Sequence, residues 1–276
     1  PRVGASPVIR DSFDEEGNPE VPRVYIHGDL DENQILLRAD PGYKDRLKLS
    51  ARNPSELKAW LHGSWDVVSG GMFDDVWDQS IHILEPFQVP ESWPITRSFD
   101  WGSSKPFSVG WWARSNGEDY VDHNNQFRAT VRGDLFRIME WYGWNGQPNE
   151  GTRMLATEVA RGIIEREIEA GIYRRSRQGP ADSAIFNVDN GRSVADDMAQ
   201  PLQLDDGRRF PGVFWLRADK SAGSRKIGWE QVRARLSNAK PRPGIGREKA
   251  GLFVFRNCQQ FLRTFPTLSR SLRDPD

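Results

Sequence analysis

The chain is poor in the residues that usually announce a function. It has one cysteine in 276 residues, Cys258. That excludes an intramolecular disulfide framework and a multi-cysteine zinc site, and makes a reducing, intracellular compartment the default. No run approaches the 18 apolar residues of a membrane-spanning helix. The first ten residues lack the basic-then-apolar pattern of a secretory signal. Four histidines, His27, His62, His82 and His123, show no metal-motif spacing and read as surface or core residues. The phosphate-cradling loop G-x-x-x-x-G-K-[ST] is absent, Gly102-Ser103-Ser104-Lys105 and Gly223-Ser224-Arg225-Lys226 being too short. Neither a G-x-G-x-x-G dinucleotide fingerprint nor a G-x-S-x-G nucleophile elbow occurs.

Aromatic residues and charge of both signs are plentiful. Eleven tryptophans and 11% aromatic residues supply a core although only 37% of the chain is hydrophobic. The formal net charge of −1 hides a strong polarity. Residues 1–92 carry 9 Lys and Arg against 17 Asp and Glu, whereas residues 207–273 carry 16 against 3. The basic stretch, mostly arginine and interleaved with Trp215, Trp229, Phe253, Phe255 and Phe261, points to a folded surface that meets phosphate. A solvated face balancing the acidic half is the plain alternative.

Val24–Ile26 reads as a short strand, and residues 29–37, 41–49 and 54–61 read as helices. Three prolines between Pro86 and Pro94 mark a linker and a domain boundary, giving segments 1–92 and 93–276. Beyond it, strands are predicted over 95–101, 107–113 and 135–144, then a helix ending near Gly171 on the spacing of Leu155, Val159, Ile163, Ile164 and Ile168. Further strands are predicted at 184–188, 213–216 and 252–255, with helices at 193–198, 228–236 and 258–264. Three strands followed by alternating helix and strand predict an α/β fold with a mixed sheet.

Two aspartates stand where strands meet loops. Asp100 closes the strand 95–101, and Asp182 precedes the strand predicted at 184–188. Two such carboxylates can share hard, oxygen-liganded cations such as Mg²⁺ or Mn²⁺, and a two-cation site activates water for phosphodiester hydrolysis. Strand-end aspartates also serve as ordinary turn residues.

The order of motifs resembles the large subunit of tailed-phage terminases. Val24-Tyr25-Ile26, Leu30-Asp31-Glu32-Asn33, Asp40-Pro41-Gly42-Tyr43 and Trp60-Leu61-His62-Gly63-Ser64-Trp65-Asp66, continued by Gly70-Gly71-Met72-Phe73, resemble the stretch that closes that family's ATPase domain. Phe99-Asp100-Trp101-Gly102-Ser103-Ser104 resembles the first acidic motif of its nuclease domain, and Ala181-Asp182-Ser183-Ala184-Ile185-Phe186 with Ser193-Val194-Ala195 resembles the second. Gly228-Trp229-Glu230-Gln231-Val232 and Phe253-Val254-Phe255-Arg256-Asn257-Cys258 through Pro266 resemble its later half.

The resemblance implies an RNase H-like mixed sheet flanked by helices over 93–276, lacking its C-terminal end. A small, mostly helical remnant of a packaging ATPase domain, with the linker, fills 1–92. It implies a metal-dependent endonuclease cutting concatemeric double-stranded DNA, with Asp100 and Asp182 as catalytic metal ligands and Mg²⁺ or Mn²⁺ as cofactor. Asp189 rivals Asp182, Glu158 is a weaker rival that reads as a solvated helix residue, and Cys258 reads as a small buried residue. Lys220, Arg225, Lys226, Arg233 and Arg235 are candidates for guiding the duplex. The ATP-binding motifs are expected before residue 1 and the third acidic motif after residue 276, since Asp274 and Asp276 do not fit it. A pair without that third carboxylate is expected to bind metal weakly and turn over slowly. Double-stranded DNA, a small terminase subunit, a portal protein and further copies of the chain in the motor are the implied partners, in the host cytoplasm and with no membrane. A non-catalytic DNA-binding or motor-docking module is the rival reading. Another RNase H-like enzyme, such as a recombinase, leaves residues 24–73 unexplained.

Overall fold

The computed structural model describes residues 8–13, 19–26, 28–51, 54–63, 71–147, 149–188, 191–241 and 244–268. The described residues pack as two compact units, one of those up to Asp75 with 264–268, the other of those within Val76–Arg263. The division falls ahead of the Pro86–Pro94 stretch, because Ile83–Leu84 is already a strand of the second unit's sheet.

The first unit holds an antiparallel hairpin, β1 (Val8–Phe13) with β2 (Pro19–Tyr25), and three short helices, α1 (Gln34–Ala39), α2 (Tyr43–Ser50) and α3 (Pro54–His62). The predicted helix over 29–37 divides in two. Asp29 caps a single 3₁₀ turn at Leu30–Glu32, and Asn33 then caps α1 by accepting from the Leu36 N–H. Each cap satisfies amides that would otherwise lack partners, and two caps four residues apart stop one helix and start the next. His62 Nδ1 lies 2.8 Å from Asp29 Oδ2, so this histidine serves the local fold.

The second unit is built on one mixed sheet. Its elements in chain order are α4 (Gln79–His82), β3 (Ile83–Leu84), β4 (Ile95–Asp100), β5 (Ser108–Arg114), a small hairpin β6 (Tyr120–Val121) and β7 (Phe127–Arg128), β8 (Leu135–Tyr142), α5 (Ala156–Glu169), β9 (Ser176–Arg177) and β10 (Pro180–Ala181). Then follow α6 (Val194–Met198), a second hairpin β11 (Leu202–Gln203) and β12 (Arg209–Phe210), β13 (Leu216–Arg217), α7 (Ser224–Ala239), β14 (Leu252–Phe255) and α8 (Gln259–Thr264). The strands run β13-β10-β4-β5-β8-β14-β3, with β9 also beside β4. Among them β5 alone opposes the others, since it is antiparallel to both β4 and β8 and every other pairing is parallel. This is the α/β fold with a mixed sheet flanked by helices.

The sheet follows from alternation. Ile95, Arg97 and Phe99 of β4 point inward while Thr96 and Asp100 face out, the period of two that a pleated strand imposes. Val159, Ile163, Ile164 and Glu167 of α5 are buried at helical spacing, and Gly171 with φ of +68° ends the helix. Trp93 and Phe136 stack with centroids 5.0 Å apart, and Phe136 stacks on Phe253 at 5.1 Å, joining the linker to β8 and β14.

In the second unit, three further predicted elements differ. The strand expected at 184–188 is a 3₁₀ turn, Ser183–Phe186, and the strand is the two residues before Asp182. The strand expected at 213–216 is Leu216–Arg217, Val213 and Trp215 being buried ahead of it. The helix expected at 228–236 begins four residues earlier, after Gly223 with φ of +82°.

Candidate functional site

Asp100 and Asp182 come together. Phe99 of β4 pairs with Ala181 of β10 in parallel register, and the Asp182 N–H donates to the Phe99 carbonyl at 3.1 Å. Each aspartate is therefore the residue at which its strand leaves the sheet, on neighbouring parallel strands and at the same end. Gly179 permits this approach. A Cβ there would stand 1.8 Å from the Arg97 carbonyl oxygen, so any side chain would push β10 off β4.

The two carboxylates are held differently. Asp182 caps the 3₁₀ turn, its Oδ1 accepting the Ala184 N–H at 2.7 Å. Its Oδ2 accepts from Lys220 Nζ at 2.7 Å. The ammonium hydrogen bond, and then the Ala184 amide, hold this carboxyl below the usual range. Asp100 has no hydrogen-bond donor among the described residues. Displaced water raises its carboxyl above the usual range, the negative charge of Asp182 raises it further, and Lys220 partly offsets both.

Two adjoining carboxylates with one ammonium, bound to Asp182, form a donor set deficient in positive charge. Hard oxygen ligands of this kind suit Mg²⁺ or Mn²⁺. Among the described residues no third His, Cys, Asp or Glu joins them in a metal-holding group. Asp219 turns to the Ser221 N–H at 2.8 Å. Asp189, Asp274 and Asp276 lie outside the described residues. Glu158 is exposed and accepts the Leu155 N–H at the start of α5, a capping role.

The basic candidates separate. Lys220 belongs to the carboxylate pair. Arg225 and Lys226 lie exposed in the first turn of α7, and Arg233 is half-buried two turns on. Arg235 serves the fold: its Nη1 donates to the Gly133 carbonyl at 2.8 Å and fastens α7 to the loop before β8. Arg233 and Arg235, two positions apart, lie on different faces of α7, so what each meets is set by tertiary packing that the sequence does not show.

Other titratable residues are structural. His82 is buried, with ring nitrogens 2.8 Å from the Asp78 carbonyl oxygen and 2.9 Å from that of Leu236. Cys258 is buried and its thiol is pushed up to about 12 by burial. Sequence reasoning misses an internal ion pair. Glu167 Oε1 accepts from Arg97 Nη1 at 3.2 Å and from Trp111 Nε1 at 2.8 Å. Its signals are positional, since Arg97 falls on the inward face of β4 and Glu167 on the apolar stripe of α5.

Among solved structures, the chain is similar to the large terminase of a thermophilic bacteriophage, at 16% identity over 87% of this chain and 46% of that one, with a TM-score of 0.46. It is similar to the nuclease domain of the P22 large terminase at 12% identity over 75% of this chain and 81% of that one, with a TM-score of 0.41. The chain thus spans less than half the length of the thermophilic phage protein. No protein-family profile and no curated protein matches it.

Proposed function

We propose that this chain is the nuclease part of a phage DNA-packaging terminase large subunit, together with the closing stretch of its packaging ATPase. In this reading it is a metal-dependent endonuclease that hydrolyses the phosphodiester backbone of concatemeric double-stranded DNA. The observation that carries it is the pairing of Asp100 and Asp182 at adjacent parallel strand ends, with Asp100 lacking any donor among the described residues. The terminase motifs of the sequence support it, because both acidic motifs supply a member of the pair.

Asp100 and Asp182 would hold the cations through their carboxylate oxygens, and Mg²⁺ or Mn²⁺ bound there would supply an activated water and charge stabilisation at the leaving oxygen. Asp182, fixed by the Ala184 amide, sets the position of the site, while Asp100 contributes a carboxylate with both oxygens open. The duplex is guided through its phosphates, without base readout. Arg225 and Lys226 are suited to this, since they stand exposed in the first turn of a helix, where the backbone dipole favours an anion. Contact with a small terminase subunit and a portal, association of several copies and action in the host cytoplasm belong to the same reading. No helix among the described residues is long and apolar enough to cross a membrane.

One observation favours a non-catalytic DNA-binding or motor-docking module instead: Lys220 already neutralises Asp182. Plasmid nicking separates the two. With Mn²⁺ the nuclease reading expects slow conversion of supercoiled to open-circular DNA that disappears in both Asp100→Ala and Asp182→Ala. Equal nicking by wild type and variants, or DNA binding with no nicking at any Mn²⁺ concentration, would overturn it in favour of the docking module.

A further inference from the structure

We infer that Lys220 is a resident counter-cation that competes with the divalent cation for Asp182. The inference rests on the metal-binding reading above. It also goes beyond it, since it makes the metal-free state a closed ion pair and sets the affinity of the site.

The competition follows from which oxygen is covered. Asp182 Oδ1 is held by the backbone at Ala184, and Oδ2, the oxygen the fold leaves open, is the one Lys220 occupies. Any cation drawing on the outer oxygen of Asp182 meets the ammonium there. The position of Lys220 is built in. The β10–β13 ladder pairs Ala181 with Arg217, and the Ala218 N–H continues it to the Ala181 carbonyl at 2.9 Å. Two residues later the chain turns, with Asp219 accepting the Ser221 N–H, and this brings residue 220 over the strand end. The side chain is 57% exposed, so it has solvent to move into when displaced. The same ammonium also acts on Asp100, so it relieves the repulsion between the two carboxylates while no metal is present.

A lysine that merely stabilised the strand end would, on removal, weaken folding and metal binding together. A counter-cation gives opposite signs. In the full chain, Lys220→Met is expected to melt slightly lower than wild type in EDTA. It is expected to bind Mn²⁺ about fivefold more tightly at low ionic strength, an advantage that shrinks with added salt, as for other exposed ion pairs. Lys220→Arg, which keeps the charge, should resemble wild type. Titration of free Mn²⁺ by electron paramagnetic resonance reads the affinity without DNA or turnover. Mn²⁺ binding by Lys220→Met equal to or weaker than wild type would overturn the inference while leaving the cation site intact. Binding unchanged in an Asp100→Asn, Asp182→Asn double variant would remove the cation site itself, and the inference with it.

Discussion

The second unit treats its carboxylates in two ways. In the interior, Asp134 is fully buried and receives four hydrogen bonds: from Arg247 Nη1 at 2.9 Å, Arg247 Nη2 at 2.7 Å, the Gly251 N–H at 2.6 Å and the Val131 N–H at 2.8 Å. Glu167, 1% exposed, has the Arg97 guanidinium and the Trp111 indole. Burial raises the Glu167 carboxyl and lowers the Arg97 guanidinium, each the direction that disfavours charge, and their mutual attraction opposes both shifts. At the strand ends, by contrast, Asp100 has no donor among the described residues and Asp182 shares a lysine. Interior acids are provided with every partner the fold can supply, because an unpaired buried charge costs several kcal/mol. The rim pair is left short of positive charge, and that shortage is what a divalent cation would satisfy.

The largest test of this contrast is Glu167→Ala, which strands the Arg97 cation in the core. Thermal and denaturant unfolding should show a loss of about 3–5 kcal/mol, and a loss under about 1 kcal/mol would mean the pair is not structural. Asp134→Asn keeps the shape but replaces an acceptor-only group by one with two donors. Its expected cost is about 2–3 kcal/mol by the same measurement. Asp100→Asn should go the other way, leaving stability unchanged or slightly raised while abolishing Mn²⁺-dependent nicking.

The pH dependence of that last variant has a definite sign. The Asp100 carboxyl is raised in the folded chain, so its charge opposes folding above the ordinary aspartate value of 3.8. That opposition fades as acid protonates the group. The advantage of Asp100→Asn should therefore be present at neutral pH and vanish on acidification through the raised value, as followed by melting temperature against pH. Asp182, lowered in the folded chain, contributes stability at neutral pH that is lost as pH falls through its depressed value, so Asp182→Asn should be less stable than wild type at neutral pH. The smallest effect concerns Cys258. With its thiol pushed up to about 12 it should resist a thiol reagent at mildly alkaline pH until the chain is unfolded.

Long periodic elements are readable in sequence. β4 announces itself by alternation, α5 by a helical apolar stripe, and β5, β8 and β14 by runs rich in apolar and aromatic residues, and Asp100 is placed by the end of β4. Apart from the motif resemblance, Asp182 is legible only as the edge of a strand that does not exist. The run Ala184-Ile185-Phe186 has strand composition, but only Ile185 is fully buried, and Asp182 and Ser183 begin a capped turn. The true strand, Pro180–Ala181, is too short to show a period. Its pairing with β4 is decided by Gly179, whose lack of a side chain lets the backbones meet. In sequence Lys220 is one cation among several. Its contact with Asp182 depends on the β10–β13 register and the turn at Ser221, neither of which has a local signature. Glu167 and Arg97 are readable by position, since each stands where its element's period calls for an apolar residue.

The difference in Mn²⁺ occupancy between wild type and the Asp100→Asn, Asp182→Asn double variant, measured by electron paramagnetic resonance at neutral pH, tests the central claim most directly. The account expects a weak, saturable Mn²⁺ site in wild type that is absent from a double variant still folded by circular dichroism. Equal Mn²⁺ binding by the two proteins would contradict it.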